Sequence, residues 1–301
     1  VFKIGKKMNL KGLGVAMVTP FHPDGTIDFE SIPRVVEHIV SGQADYLVVL
    51  GTTAEVACLS AKEKRQVVQA IVSANQNRLP LVIGIGGNNT AQLVAEIQAT
   101  DLSAFGAILS VSPYYNKPTQ EGIYHHFAEL AKASPLPIIV YNVPSRTGSS
   151  VEASTFIRLA QDFENIIAIK EASGSMLQAQ EIIKEAPSHI QVISGDDALT
   201  LPMLLAGAVG TISVLGNAMP IPLTKMFEYV EAGNLKKAYQ LHYELLDMIQ
   251  LLFEEGNPTG IKALMEILKI CSSQVRLPLV SATSSLNARI EKVLEHSIYA
   301  V

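Results

Sequence analysis

A chain of 301 residues with 48% hydrophobic and only 17% charged residues buries a large core, and its length suits one large α/β barrel or two ordinary domains. The net charge of −5 gives no sign of a nucleic-acid surface, the only basic cluster being Lys3, Lys6, Lys7 and Lys11. No apolar run reaches the ~18 residues of a membrane helix, and no stretch reads as a secretory leader. Two cysteines, Cys58 and Cys271, make no disulfide framework, so a cytoplasmic location is the simplest reading. Neither has metal-ligand spacing to a histidine, and His125 and His126 sit on adjacent helix positions that do not face each other, so no metal is expected. Val1–Lys7, ahead of Met8, are set aside from the fold argument, and whether they are native is left open.

Short apolar runs then alternate with amphipathic stretches. The runs that read as strands are 14–19, 46–50, 81–85, 107–111, 138–143, 166–170, 190–194 and 210–215. Helical patterns between them include 61–75, 90–99, 121–133, 153–161, 176–185 and 198–206. Thr119 with Glu121 in the next turn, and Ser173-Gly174-Ser175 before Met176, are helix-start signals. Eight strands, each followed by a helix, are the sequence form of a (β/α)8 TIM barrel. The barrel, a catalytic domain over 9–233, closes near Ala232-Gly233-Asn234. What remains, 234–301, reads as a C-terminal helical appendix with helices over 235–253, 259–269 and 285–296.

Barrel enzymes build their sites at the carboxyl ends of the strands. Polar residues collect there in this chain: Gly51-Thr52-Thr53, Gly86-Gly87-Asn88, Tyr114-Tyr115-Asn116, Tyr141-Asn142, Lys170-Glu171, Gly195-Asp196-Asp197 and Gly216-Asn217. Lys170 stands out, because the run Ile166-Ile167-Ala168-Ile169-Lys170 reads as a strand buried on both faces. A lysine there is paired with a carboxylate such as Glu171, or else it loses its proton. Catalytic lysines tuned to a pKa of about 7–8 are nucleophiles toward carbonyls. Strands five and six are neighbours, so Tyr141 and Lys170 are expected to approach each other. An amine, phenols that pass protons and backbone amides for a carboxylate suit imine chemistry on an oxo acid, with the protonated imine as electron sink and no cofactor. Each piece also has a plain use: Thr52 and Thr53 as caps of the next helix, Tyr114 and Tyr115 as rim packing, Gly84, Gly86 and Gly87 as relief for a tight turn, and Asp196 and Asp197 as caps.

The segments GLGVAMVTPF (12–21), GTTAE (51–55), SPYYNKPTQEG (112–122), YNVPSRTG (141–148), IKEASG (169–174), SGDD (194–197) and GTISVLGN (210–217) resemble, in order and spacing, the dihydrodipicolinate synthase family. That family lies within the N-acetylneuraminate lyase-like class I aldolase superfamily, and the likeness covers about residues 10–280. It implies that Lys170 forms an imine with pyruvate and that Tyr141 is the central proton shuttle. Tyr141 would be linked to Thr52 and to Tyr115, the latter reaching in from a neighbouring subunit. It further implies that Thr53 helps hold the pyruvate carboxylate, and that main-chain groups at Gly195 and Ile212 line the site. Arg146 would bind the carboxylate of the second substrate, L-aspartate 4-semialdehyde, a task its bidentate fork suits. The implied product is 4-hydroxy-tetrahydrodipicolinate, in the diaminopimelate route to lysine, and the implied assembly is a homotetramer.

Two departures from the family pattern stand out. Ala54 occupies a place where relatives usually carry glycine. Asn88 and Tyr114 fit the pocket in which inhibited relatives bind lysine, but Val56, Ala61, Lys64 and Gln92 replace serine, histidine, histidine and glutamate, which implies weak or absent inhibition by L-lysine. Two other readings stay open: a related imine-forming aldolase for 2-keto-3-deoxy sugar acids or N-acetylneuraminate, and a catalytically silent barrel that senses an oxo acid.

Overall fold

The computed structural model describes residues 8–296; Val1–Lys7, set aside above, lie outside the described residues. In chain order the elements are β1 (Gly12–Ala16), α1 (Ser31–Ser41), β2 (Tyr46–Val49), α2 (Ala61–Asn75), β3 (Leu81–Gly84), α3 (Thr90–Ala99), β4 (Ala107–Val111) and α4 (Gln120–Ala133). There follow β5 (Ile138–Asn142), α5 (Pro144–Thr147), α6 (Ala153–Asp162), β6 (Ile166–Glu171), α7 (Met176–Glu185), β7 (Gln191–Ser194), α8 (Thr200–Ala206), β8 (Gly210–Ser213) and α9 (Pro220–Glu231). Three more helices end the chain: α10 (Leu235–Glu254), α11 (Thr259–Ile267) and α12 (Ser284–Glu295). The eight strands close into a barrel in chain order and pair in parallel. This is the (β/α)8 barrel that the alternation predicts. β1, β2, β5, β6 and β8 are buried at every position, as expected of a parallel sheet covered on both faces.

Helix starts follow local chemistry. Ser60 and Glu63 form a reciprocal capping box on α2, Thr119 accepts from the Gly122 amide, and Ser175 accepts from the Gln178 amide. Glu121 takes no part in a capping box and instead pairs with Arg158 and His125. Helix α1, not singled out in the sequence, buries Ile32, Val35, Val36 and Ile39 on one face. β1 and β8 stop earlier than their apolar runs. Past Ala16 the side chain of Asn217 replaces a ladder partner, accepting from the Val18 amide (3.0 Å) and donating to the Ala16 carbonyl (2.8 Å).

Contacts divide the described chain into two compact units, residues 8–11 with 80–212, and residues 12–79 with 213–296. In the first unit the β5–β6 register carries an irregularity. Ile138 partners Ile166 but Ile139 partners Ala168, so Ile167 is an extra residue, and beyond it Tyr141 lies opposite Lys170 and Asn142 opposite Glu171.

Candidate active site

Side chains alternate between the two faces of a strand. At the end of β6 the outward position belongs to Glu171, whose carboxylate accepts from Asn142 Nδ2 (3.0 Å), Gln178 Nε2 on α7 (2.8 Å) and the Ser173 amide (2.6 Å). Lys170, one residue earlier, therefore points to the opposite face, away from α7. It is 4% exposed and, among the described residues, forms neither an ion pair nor a hydrogen bond. Its Nζ lies 4.4 Å from the centre of the Tyr141 ring, within cation–π range. The Lys170–Glu171 salt bridge allowed by the sequence is thus replaced by a carboxylate saturated with neutral donors.

Gly195, after β7, leaves room for this lysine. A Cβ on Gly195 would lie 2.9 Å from Lys170 Cε and 2.7 Å from the Ala172 side chain, so only glycine lets the Lys170 stem pass unhindered. Ile212 is buried in β8. Asp196 caps the next turn by accepting from the Ala198 amide (2.9 Å), the plain use its position allowed.

Arg146 sits exposed on α5, a single turn with proline at its first position. The segment that returns from α5 is clamped. Asn142 accepts from the Val151 amide (2.9 Å) and donates to Ser150 Oγ (3.3 Å), while Gln120 Nε2 donates to the Ser150 carbonyl (2.8 Å). Tyr115 is 90% exposed with φ of +73°, a left-handed conformation that non-glycine residues rarely adopt. It does not pack on the rim of its own chain.

In the second unit, Thr52 and Thr53 occupy a single 3₁₀ turn, Thr52–Ala54, after β2. Neither caps α2, a role taken by Ser60. Thr52 is half-buried, whereas Thr53 is 1% exposed and its Oγ1 accepts from Asn257 Nδ2 at 3.1 Å. Asn257 was not picked out by sequence reasoning, because an asparagine before a proline between two helices reads only as a turn.

A parallel barrel that buries an unpaired lysine at a strand's carboxyl end, against a tyrosine ring, defines the class of lysine-dependent, aldolase-type barrel enzymes. Within that class the chain belongs to the dihydrodipicolinate synthetase family, whose model matches residues 9–297. It is 51% identical over 280 residues to a 4-hydroxy-tetrahydrodipicolinate synthase of Flavobacterium psychrophilum, covering 93% of this chain and 96% of the relative. Dihydrodipicolinate synthase from Thermotoga maritima superposes with a TM-score of 0.92 at 34% identity, covering 95% of this chain and 98% of that one. The dihydrodipicolinate synthase of Acinetobacter baumannii, solved in complex with pyruvate, superposes at 0.91 with 33% identity, covering 95% and 98%. A monomeric dihydrodipicolinate synthase variant is also among the solved structures that the chain resembles. Among the described residues no helix is long and apolar enough to cross a membrane.

Proposed function

We propose that this chain is a lyase that condenses pyruvate with L-aspartate 4-semialdehyde through an imine on Lys170, giving 4-hydroxy-tetrahydrodipicolinate in the diaminopimelate route of lysine biosynthesis. The observation that carries the reading is Lys170 itself: 4% exposed, without a counter-ion among the described residues, and set against the Tyr141 ring. No carboxylate occupies this nitrogen, which leaves it accessible to an incoming carbonyl carbon.

The Lys170 amine attacks the pyruvate ketone carbon. The carbinolamine loses its hydroxyl as water, with a proton delivered through Tyr141, and a protonated imine results. Loss of a methyl proton converts this imine to an enamine. The enamine carbon attacks the aldehyde of the second substrate, whose oxygen takes a proton. The substrate's own amine then adds to the imine carbon and displaces Lys170, closing the ring and restoring the free lysine. Thr52 and Tyr115 complete the proton path, Tyr115 from a neighbouring subunit; its exposure and positive φ suit a side chain held out toward a second copy. Thr53 holds the pyruvate carboxylate, backbone groups at Gly195 and Ile212 line its site, and Arg146 binds the carboxylate of the semialdehyde.

A homotetramer is the assembly this reading favours, and the monomeric relative makes it a quantity to measure. The two free cysteines accord with a cytoplasmic enzyme. With Gln92 in place of a glutamate, and Val56, Ala61 and Lys64 around it, L-lysine is expected to inhibit weakly or not at all. Strong inhibition below millimolar lysine in a coupled assay would refute that.

Incubation with pyruvate, borohydride reduction and peptide mapping by mass spectrometry tests the central claim. The expected adduct is on Lys170. No adduct there favours an oxo-acid sensor, and turnover with sugar acids in place of the semialdehyde favours the related aldolases.

A further inference from the structure

The turn that presents Thr52 and Thr53 is bounded by Leu50 (φ +57°) and Glu55 (φ +54°), two non-glycine residues in the left-handed region. Such conformations cost on the order of 1–3 kcal/mol each and persist only where the surroundings over-determine them. Within the second unit the surroundings do so. Thr19 Oγ1 donates to the Ala54 carbonyl (2.8 Å). Glu55, 4% exposed, receives Lys262 Nζ at 2.6 Å on one carboxylate oxygen and the Arg276 amide at 2.8 Å on the other. Lys262 is fully buried, donates a second hydrogen bond to the Gln274 carbonyl (2.8 Å), and lies over the Phe21 ring. The turn is therefore bolted to α11 and the segment after it.

A further anchor reaches a site residue directly. Asn257 is 7% exposed, and its Nδ2 donates to Thr53 Oγ1 at 3.1 Å. A hydroxyl has one proton to give and lone pairs to receive. With a lone pair occupied by an amide N–H, the Thr53 proton is turned away from Asn257 and is free to be given to another acceptor. A hydroxyl held as a donor suits an anion; one that donates to its own support does not.

We propose that Asn257 is a positioning residue for the pyruvate carboxylate, fixing Thr53 as a hydrogen-bond donor on a turn that the Glu55–Lys262 pair holds rigid. This inference rests on the assignment of Thr53 to that carboxylate. The test is steady-state kinetics in both substrates for Thr53→Val, Asn257→Ala, Asn257→Asp and the Thr53→Val/Asn257→Ala double variant, with thermal unfolding of each.

Thr53→Val is expected to raise the pyruvate KM about tenfold, the worth of one charge-assisted hydrogen bond. Asn257→Ala should raise it several-fold and leave the semialdehyde KM unchanged. Asn257→Asp keeps the shape but presents an acceptor that draws the Thr53 proton toward itself, so its pyruvate KM should rise more than that of Asn257→Ala. In the Thr53→Val background, loss of Asn257 should add less than about twofold, because coupled residues are not additive.

A normal pyruvate KM in Asn257→Asp, or an Asn257→Ala effect equally large in both backgrounds, overturns the proposal while leaving the Thr53 assignment standing. A normal pyruvate KM in Thr53→Val overturns both, and that single variant tells the two failures apart.

Discussion

Among the described residues each unit of the molecule buries one lysine, and the two are treated in opposite ways. Lys262, on α11, is fully buried and held by Glu55 at 2.6 Å and by a carbonyl. Burial pulls its pKa below the ordinary lysine value, and the Glu55 charge works against that shift. Lys170, at the end of β6, is 4% exposed, and its neighbour Glu171 turns the other way to collect three neutral donors. Burial alone therefore does not mark a reactive amine. The difference lies in whether the carboxylate within reach is spent on the lysine or elsewhere.

That contrast is broken most directly by exchanging each lysine for methionine. Lys170→Met should abolish turnover and the borohydride-trapped adduct, while stability in denaturant is unchanged or higher, since no ion pair or hydrogen bond is lost and an apolar side chain of similar length fills the space. Lys262→Met should instead cost about 3–5 kcal/mol of stability, because it strands Glu55 without its cation. Equal losses of stability in the two variants would erase the distinction.

His126 sharpens the comparison with a third buried base. Its Nδ1 meets Thr90 Oγ1 at 2.9 Å, its Nε2 has no hydrogen-bond partner, and burial lowers its pKa to about 4. The folded state keeps this imidazole neutral, whereas the unfolded chain takes up a proton near pH 6.5. Stability from this group is complete above that pH and is lost as pH falls from 6.5 toward 4, by on the order of 3 kcal/mol. An NMR titration should find His126 neutral at pH 5.5, and a midpoint near 6.5 would contradict the effect of burial.

On the rim, Arg146→Ala should raise the semialdehyde KM roughly 10- to 150-fold, equivalent to about 1.5–3 kcal/mol for a hydrogen bond to a charged group, with pyruvate KM little changed. The smallest effect is expected from Gly195→Ala. Its added methyl, crowded by the Ala172 side chain and by Lys170, shifts the loop slightly and forces the Lys170 stem off its rotamer, the latter at a cost of about 0.5–1.5 kcal/mol, which slows imine formation roughly two- to tenfold. Single-turnover trapping with borohydride would read that rate, and an unchanged rate would show that the stem yields freely.

Much of this was legible in the residues. The ranges of α2, α3, β4 and α7 match the sequence patterns residue for residue, because each has a local cause: a capping serine or asparagine, a 3.6-residue apolar period, or a short apolar run. Lys170 was legible because an ammonium in an isoleucine run has no packing explanation. The anchors of the β2 turn were not. Asn257 and Lys262 lie more than 200 positions from the Thr53 and Glu55 they meet, and nothing in GTTAE says which distant cation will reach its glutamate.

The sequence by itself determined the alternation of strand and helix, and it placed a lysine and a tyrosine at the ends of adjacent strands. Those features follow from the period of apolar residues and from side-chain chemistry. Only the tertiary structure decided that the two share a face. The shift at Ile167 moves β6 by one residue against β5, so that Tyr141 meets Lys170 rather than Ile169. A one-residue slip exchanges the faces of a strand, and a run of isoleucines is apolar in either register, so side-chain type cannot choose between them. The choice falls to long-range packing and hydrogen bonding, which leave Asn142 and Glu171 paired on the outer side and Lys170 turned away from them.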